Sequence, residues 1–108
     1  MEEVHKFLTN LDDKSRDKII YNIDKAVYQS DKELFKKLKN EIWEFRTLYN
    51  KKYFRLFAFW DKSDSAKTLV IATHAIIKKT DKTPEKEIKK AEKIREQYFN
   101  HKNYGNEK

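Results

Sequence analysis

The sequence predicts an α+β fold in which N-terminal helices and one C-terminal helix pack on a small antiparallel sheet. Three observations support this prediction. Apolar residues recur at helical spacing over the first third of the chain, a period of two begins at Glu41, and helical spacing returns after Pro84. With 108 residues and no internal repeat, residues 1–108 are expected to form a single domain with one modest core.

Two amphipathic helices are predicted at the start of the chain. Asp12, Asp13 and Ser15 can cap the second helix, because short polar side chains accept hydrogen bonds from the free backbone N–H groups at a helix start. Each helix is expected to bury one apolar face. These faces consist of Val4, Phe7, Leu8 and Leu11 in the first helix, and of Ile19, Ile20, Ile23 and Val27 in the second.

A short third helical segment is expected to open at Ser30 or Asp31. Leu34, Phe35 and Leu38 follow at helical spacing and would form its apolar side. The lysines of this segment point elsewhere on such a helix, and a solvated face is their simplest explanation. They are Lys36, Lys37 and Lys39.

Three antiparallel strands are predicted next. Residues 42–48 alternate in polarity, residues 53–60 are nearly all apolar, as in a strand covered on both faces, and residues 68–77 are rich in β-branched side chains. Asn50 opens a turn without glycine, because asparagine tolerates a left-handed backbone. Residues 61–67 are expected to form a polar loop, the most mobile part of the sheet.

A last helix is predicted to begin at Thr83 and Pro84, since threonine caps a helix and proline fits its first turn. One side of this helix carries Ile88, Ala91, Ile94 or Arg95, and Tyr98. From about residue 100 the chain is polar and contains the only glycine, so a frayed tail is expected.

The composition favours an acidic partner and excludes some kinds of site. Lysine and arginine number 25 against 18 acidic residues, which gives a net charge of +7. A nucleic acid or an acidic protein would match this charge, although a lysine-rich protein without a special partner would share it. The absence of cysteine excludes disulfides, zinc–thiolate sites and cysteine nucleophiles. With no signal peptide and no apolar run long enough for a membrane span, we expect a cytoplasmic protein.

Motifs for metal, serine or phosphate-loop chemistry are missing from the sequence. His5, His74 and His101 are far apart and belong to no metal-binding motif, so no metal or other cofactor is predicted. A glycine-rich phosphate loop is impossible, because the single glycine lies in the C-terminal tail. Basic side chains on the predicted sheet are the remaining candidates for chemistry.

Five cations fall on the predicted strands and on the exit from the last strand. Arg46 and Arg55 lie on strands joined by a short hairpin, so their side chains could face one groove. Lys78, Lys79 and Lys82 follow the third strand, next to the terminal helix. Such cations can hold a phosphodiester and stabilise it as it becomes pentacoordinate without a metal.

A structural explanation stays open for each of these residues. Glu44 is an obvious ion-pair partner for Arg46, and the lysines before Pro84 could form a solvated loop. His74, near the end of the third strand, could move a proton near neutral pH or could be a hydrogen-bonded structural histidine. We expect Arg55→Ala and Lys79→Ala to leave the fold intact, because both cations are taken to lie outside the core.

Three segments together resemble a known family. They are Ile-Trp-Glu-Phe-Arg over residues 42–46, Tyr-Phe-Arg-Leu-Phe-Ala-Phe-Trp-Asp over residues 53–61, and Thr-His-Ala-Ile-Ile-Lys-Lys-Thr-Asp-Lys-Thr-Pro over residues 73–84. In this order they resemble the phage-derived HigB-like branch of the RelE/ParE superfamily of toxins. Two features depart from the family pattern: the sequence starts at the first helix, so the usual edge strand before it is absent or was not included, and no tyrosine lies between Lys78 and Pro84.

The resemblance implies a RelE-like fold and the toxin of a type II toxin–antitoxin system. Such toxins are metal-independent mRNA endonucleases that inhibit translation, and the RNA 2′-hydroxyl attacks the adjacent phosphate. The implied partners are mRNA, the ribosome and a cognate helix-turn-helix antitoxin, which could bind the basic groove or an open edge of the sheet. The resemblance assigns catalysis to Arg46, Arg55, His74, Lys78 and Lys79, and RNA binding to Lys51, Lys52, Lys82 and Lys86.

Two other functions fit the same resemblance. The ParE side of the superfamily shares the fold but acts by binding DNA gyrase, and fold alone does not decide between the two activities. An inactive basic module that only pairs with its antitoxin is the third possibility.

Overall fold

A computed structural model of the chain describes residues 2–29, 31–64, 67–80 and 82–106. Four neighbouring strands form one antiparallel sheet in the order β1-β2-β3-β4, which confirms the predicted α+β class. None of the helices in this described part is both long and apolar enough to cross a membrane. The elements are α1 (Glu2–Thr9), α2 (Asp13–Gln29), β1 (Phe35–Lys39), β2 (Ile42–Tyr49), β3 (Lys52–Asp64), β4 (Lys67–Lys78) and α3 (Glu85–Asn106).

The predicted third helical segment is wrong, because these residues form the edge strand β1. Phe35 pairs with Phe45 and Lys36 with Glu44, and the Arg46 backbone N–H donates to the Leu34 carbonyl at 2.8 Å. A short apolar run does not show whether its period is that of a helix or of a strand, so the pairing with β2 determines the structure of this segment. The sheet edge beside β2 is therefore occupied by a lysine-rich strand that follows α2.

The sheet carries a helical layer on each face. Phe54, Leu56 and Ala58 of β3 alternate onto the face covered by α1 and α2, where they pack in one cluster with Val4 and Ile19. Phe57 and Phe59 of β3 point to the opposite face and pack beneath α3. That second cluster contains Ile42, Phe57, Phe59, Ile88 and Ala91. The prediction that the central strand is covered on both faces is confirmed.

The turn between β2 and β3 is a tight one. Asn50 and Lys51 both have positive φ, 52° and 62°, and Tyr49 pairs with Lys52 across the turn. Two successive left-handed residues match the twist of the flanking strands. The predicted glycine-free turn at Asn50 is confirmed.

Two expectations for polar segments are wrong. The predicted loop over residues 61–67 is mostly strand, because β3 continues to Asp64 and β4 begins at Lys67, while residues 65 and 66 lie outside the described residues. The helix α3 does not fray at residue 100 but continues to Asn106, and residues 107 and 108 lie outside the described residues. Lys102 donates to the buried Asp61 at 2.7 Å, and this contact holds the far end of α3 on the sheet.

Candidate nucleic-acid interface

Helix α3 covers only part of its face of the sheet. Along the β2–β3 ladder on this face, Glu44 stands opposite Phe57, Arg46 opposite Arg55, and Leu48 opposite Tyr53. Phe57 is fully buried beneath α3, whereas Leu48 is 55% exposed. We call Arg46, Leu48, Tyr53 and Lys78 the open end of the sheet; Lys78 joins this set because it pairs with Tyr53.

Arg55 is the centre of a buried polar network. Its side chain is fully inaccessible, and its Nη1 donates to Glu44 Oε1 at 2.7 Å and to Thr83 Oγ1 at 2.5 Å. The Nη2 atom donates to the Thr80 carbonyl at 3.1 Å, and the Thr83 hydroxyl donates to Glu44 at 3.0 Å. The network therefore ties the segment that enters α3 to the sheet.

The expectation that Arg55 lies outside the core is wrong. Arg55 follows the same alternation as Phe57 and Phe59, so its side chain points to the α3 face, and the residues that precede α3 close over it. A charge at such a position persists only where it is paired and hydrogen-bonded. Glu44, which is also fully buried, provides the pairing.

A basic groove lies between β1 and the start of α3. It has a volume of about 590 Å³, and the described residues that line it include five cations and one carboxylate. That carboxylate, Glu85, accepts a hydrogen bond from Lys39 Nζ at 2.6 Å, which lowers the pKa of Glu85 and raises that of Lys39. The lining residues are Lys36, Lys37, Leu38, Lys39, Arg46, Lys82, Thr83, Glu85 and Ile88.

Arg46 connects the basic groove with the buried network. Its side chain is 25% exposed, and Nη2 lies 3.7 Å from Glu44 Oε2, so Glu44 stands between two guanidinium groups. The sequence-based pairing of Arg46 with Glu44 is confirmed. Arg46 also lines the groove, where a guanidinium group is suited to bind a phosphate.

His74 lies under α3 and is not among the described residues that line the basic groove. Its ring stacks on Phe57 with centroids 4.7 Å apart, Nδ1 lies 3.0 Å from Thr73 Oγ1, and Nε2 lies 3.3 Å from Glu87 Oε1. Burial, and then the positive charge of Lys90, lower the pKa of His74, which favours the neutral ring. Of the two roles that the sequence left open for His74, these surroundings favour a structural histidine over one that moves a proton.

The other residues predicted for the site occupy different places around it. Lys82 lines the basic groove together with Arg46. The half-buried Lys78 belongs to the open end, and Lys79 is exposed in the bend after β4. The three remaining predicted lysines are exposed, at the β2–β3 turn and in the first turn of α3. They are Lys51, Lys52 and Lys86.

Sequence reasoning missed two contributors to the site. The lysines of β1 line the groove, whereas helical spacing places them on the solvated face of a helix. Tyr53 was treated only as part of an apolar strand, although its ring centroid lies 5.9 Å from the Arg46 guanidinium and 5.3 Å from that of Arg55. The cross-strand position of Tyr53 follows from the two-residue turn, which was the available signal.

Among the described residues, no three His, Asp or Glu side chains are grouped as a metal site requires. Over residues 6–96 the sequence matches a protein family with the description Phage derived protein Gp49-like (DUF891). The matched range includes every residue that lines the basic groove. No curated protein and no solved structure matches the chain.

Proposed function

The chain belongs to the family of phage-derived Gp49-like proteins, which is associated with RelE-like and toxin-like proteins, and on this premise we propose that it is the toxin of a type II toxin–antitoxin pair. Its activity in this proposal is metal-independent cleavage of mRNA, which inhibits translation. Its site is the basic groove between β1 and α3.

The observation that carries the proposal is the charge of the groove. Among the described residues that line it, five cations converge against one carboxylate, and that carboxylate is already bound to Lys39. A polyanion gains affinity from such a surface because its counterions are released on binding. The groove is also built on strands and on a segment fixed by the Arg55 network, so the backbone that carries its cations is ordered before RNA arrives.

The proposed reaction needs no group from outside the protein and the RNA. The ribose 2′-oxygen forms a bond to the adjacent phosphorus and loses its proton, while the bond from phosphorus to the 5′-oxygen breaks and that oxygen takes up a proton. The products are a 2′,3′-cyclic phosphate and a 5′-hydroxyl. Arg46 and Lys82 are the cations proposed to stabilise the negative charge of the pentacoordinate phosphorus.

The remaining predicted residues take different roles in the proposal. Arg55 is a positioning residue, because it is buried and acts on the groove through Thr83 and Glu44. Lys78, which pairs with Tyr53 at the open end, and the exposed Lys79 are the proposed proton carriers. His74 receives no part in the reaction, since it is buried against α3.

The partner proposed for inhibition is a small helix-turn-helix antitoxin with an acidic surface. Such a surface complements the basic groove, and an extended segment could pair with the exposed edge strand β1. Co-expression with the product of the neighbouring gene should give a complex that co-elutes and does not arrest growth. Separate elution with persistent toxicity would contradict this part of the proposal.

One experiment distinguishes the functions that the family allows. The purified protein is added to ribosomes translating a defined message, and in parallel to DNA gyrase during supercoiling. The proposal expects cut message with 5′-hydroxyl ends and normal supercoiling. Intact message with inhibited gyrase would favour a ParE-like activity, and no effect in either assay would favour an inactive basic module.

A further inference from the structure

A second groove adjoins the basic groove at the open end of the sheet. It has a volume of about 610 Å³, and its described lining includes the apolar residues Leu34 and Leu48, the ring of Tyr53, three cations and the carboxylate of Glu33. We call it the aromatic niche. Unlike the described lining of the basic groove, it includes an aromatic ring, and its described cations outnumber its carboxylate three to one.

The two principal side chains of the niche stand directly opposite each other. Leu48 and Tyr53 are cross-strand partners in the β2–β3 ladder, so their side chains are neighbours on the same face. Leu48 is 55% exposed and Tyr53 is half-buried, since both lie at the open end of the sheet. The guanidinium groups of Arg46 and Arg55 lie within 6 Å of the Tyr53 ring centroid and hold the ring by cation–π attraction.

The basic groove and the aromatic niche share two cations. Lys36 and Arg46 line both of them, so a phosphate held by this pair would have its own nucleotide beside the niche. A nucleobase is a flat, largely apolar ring with polar edges, and it stacks on aromatic side chains whatever its identity. Phosphate sites on one side and an aromatic platform on the other are the two features that single-stranded nucleic-acid sites combine.

We propose that the aromatic niche binds one unpaired nucleobase of single-stranded RNA, stacked against Tyr53 and Leu48, while its phosphate lies between Lys36 and Arg46. This inference rests on the proposed function and specifies its substrate as an unpaired strand. A base within a duplex is stacked and paired on both sides, so it reaches the niche only after unstacking. Tyr53 and Leu48 are thus specificity-determining residues, and neither takes part in bond breaking.

The test is direct binding of fluorescent oligonucleotides to the full-length protein. Three probes are compared at one salt concentration: a short single-stranded RNA, the same sequence as a duplex, and an abasic ribose-phosphate strand of equal length and charge. The variants are Leu48→Ser and Tyr53→Leu, with Tyr28→Ser as a matched control because Tyr28 is 86% exposed on α2. Circular dichroism verifies that each variant is folded, and the exposure of Leu48 keeps Leu48→Ser informative if Tyr53→Leu unfolds.

The niche predicts that single-stranded RNA binds about tenfold more tightly than the abasic strand, the magnitude expected for one stacked base. Each niche variant should remove most of this difference, while Tyr28→Ser should preserve it. Equal binding of the single-stranded and abasic probes, or tighter binding of the duplex, would overturn the niche but leave the basic groove as an RNA site. Failure of every probe to bind would overturn the proposed function itself.

Discussion

Arg46 and Arg55 stand opposite each other across the β2–β3 ladder, yet their surroundings differ. Arg55 is fully buried and bonded to Glu44, Thr80 and Thr83, whereas the Arg46 side chain is 25% exposed and lines the basic groove. Strand alternation puts both side chains on one face. The segment before α3 closes over Arg55 and leaves Arg46 partly exposed. Two like residues at one ladder position can therefore have separate structural and binding roles, which variants can separate.

The largest expected effect is the loss of stability in Arg55→Ala. Removing the guanidinium leaves Glu44 buried without its main partner, which costs about 3–5 kcal/mol of the free energy of unfolding. Arg46→Ala removes a longer pair at 3.7 Å, whose arginine is 25% exposed and whose carboxylate keeps its bond to Arg55, and should cost about 1 kcal/mol. Urea unfolding of both variants measures the difference. Equal losses in the free energy of unfolding would contradict the division into a structural Arg55 and a binding Arg46.

A compensating substitution can sharpen this result. If the loss in Arg55→Ala comes from the stranded Glu44 carboxylate, the double variant Arg55→Met with Glu44→Leu should recover much of the stability, because apolar residues of similar volume can replace a buried ion pair. Its Thr83 hydroxyl would lose both partners, so full recovery is not expected. A double variant no more stable than Arg55→Ala alone would show that packing, and not the unpaired charge, causes the loss.

Thr83→Ala should have an intermediate effect on stability and should also weaken RNA binding. The Thr83 hydroxyl accepts from Arg55 and donates to Glu44, so its loss leaves buried polar groups under-satisfied at about 1–3 kcal/mol. Because Lys82 precedes it in the groove, RNA affinity should fall as well. Thr83→Ser restores the hydroxyl and is the control; unfolding and RNA binding are measured in parallel. A serine variant as impaired as alanine would contradict a role for the hydroxyl.

Arg46→Gln should change the salt dependence of RNA binding more than it changes stability. Each phosphate contact contributes a slope of about −0.7 to a plot of log affinity against log salt for single strands, so losing one contact should flatten the plot by that amount. Lys14→Gln is the charge-matched control, because Lys14 is exposed on α2. Identical slopes for the two variants would indicate a diffuse effect of the net charge of +7 instead of a contact in the groove.

The smallest expected effect concerns pH and the covered part of the α3 face. Burial and Lys90 lower the pKa of folded His74, although Glu87 and Glu3 oppose this shift. The pKa of His74 in the unfolded chain is near 6.5, so below that pH the unfolded chain binds more protons than the folded protein. The free energy of unfolding is therefore retained above pH 6.5 and declines as the pH falls below it. His74→Phe keeps a ring against Phe57 without titration, so its melting temperature should vary less between about pH 7 and pH 5. An unchanged pH dependence would assign it to other groups.

The sequence was sufficient for the features that follow from periodicity. The helices around Val4 and Ile19, the central strand at Phe57, and the helix after Pro84 all have long or strongly marked patterns. The turn at Asn50 was recognisable from its residue type.

The remaining features depend on contacts between distant segments. Residues 35–39 become a strand because β2 pairs with them, and Arg55 is buried because Thr80 and Thr83 close over it. The tail from residue 100 is helical at least in part because Asp61 accepts from Tyr98 and Lys102. These contacts leave no periodic signal in the sequence. The position of the β1 lysines on a strand and the burial of Arg55 therefore could not be predicted from it.

Cleavage of a defined message by groove variants tests the central claim, that the exposed cations and not the buried network contact RNA. The groove variant combines Arg46→Gln with Lys82→Gln. The control variant combines Lys14→Gln with Lys93→Gln, and so removes two charges from exposed positions outside the described lining of the groove. Unfolding curves verify that both proteins are folded. The account predicts that the groove variant leaves the message intact while the control cuts it like the unmodified protein. Undiminished cleavage by a folded groove variant would contradict the account.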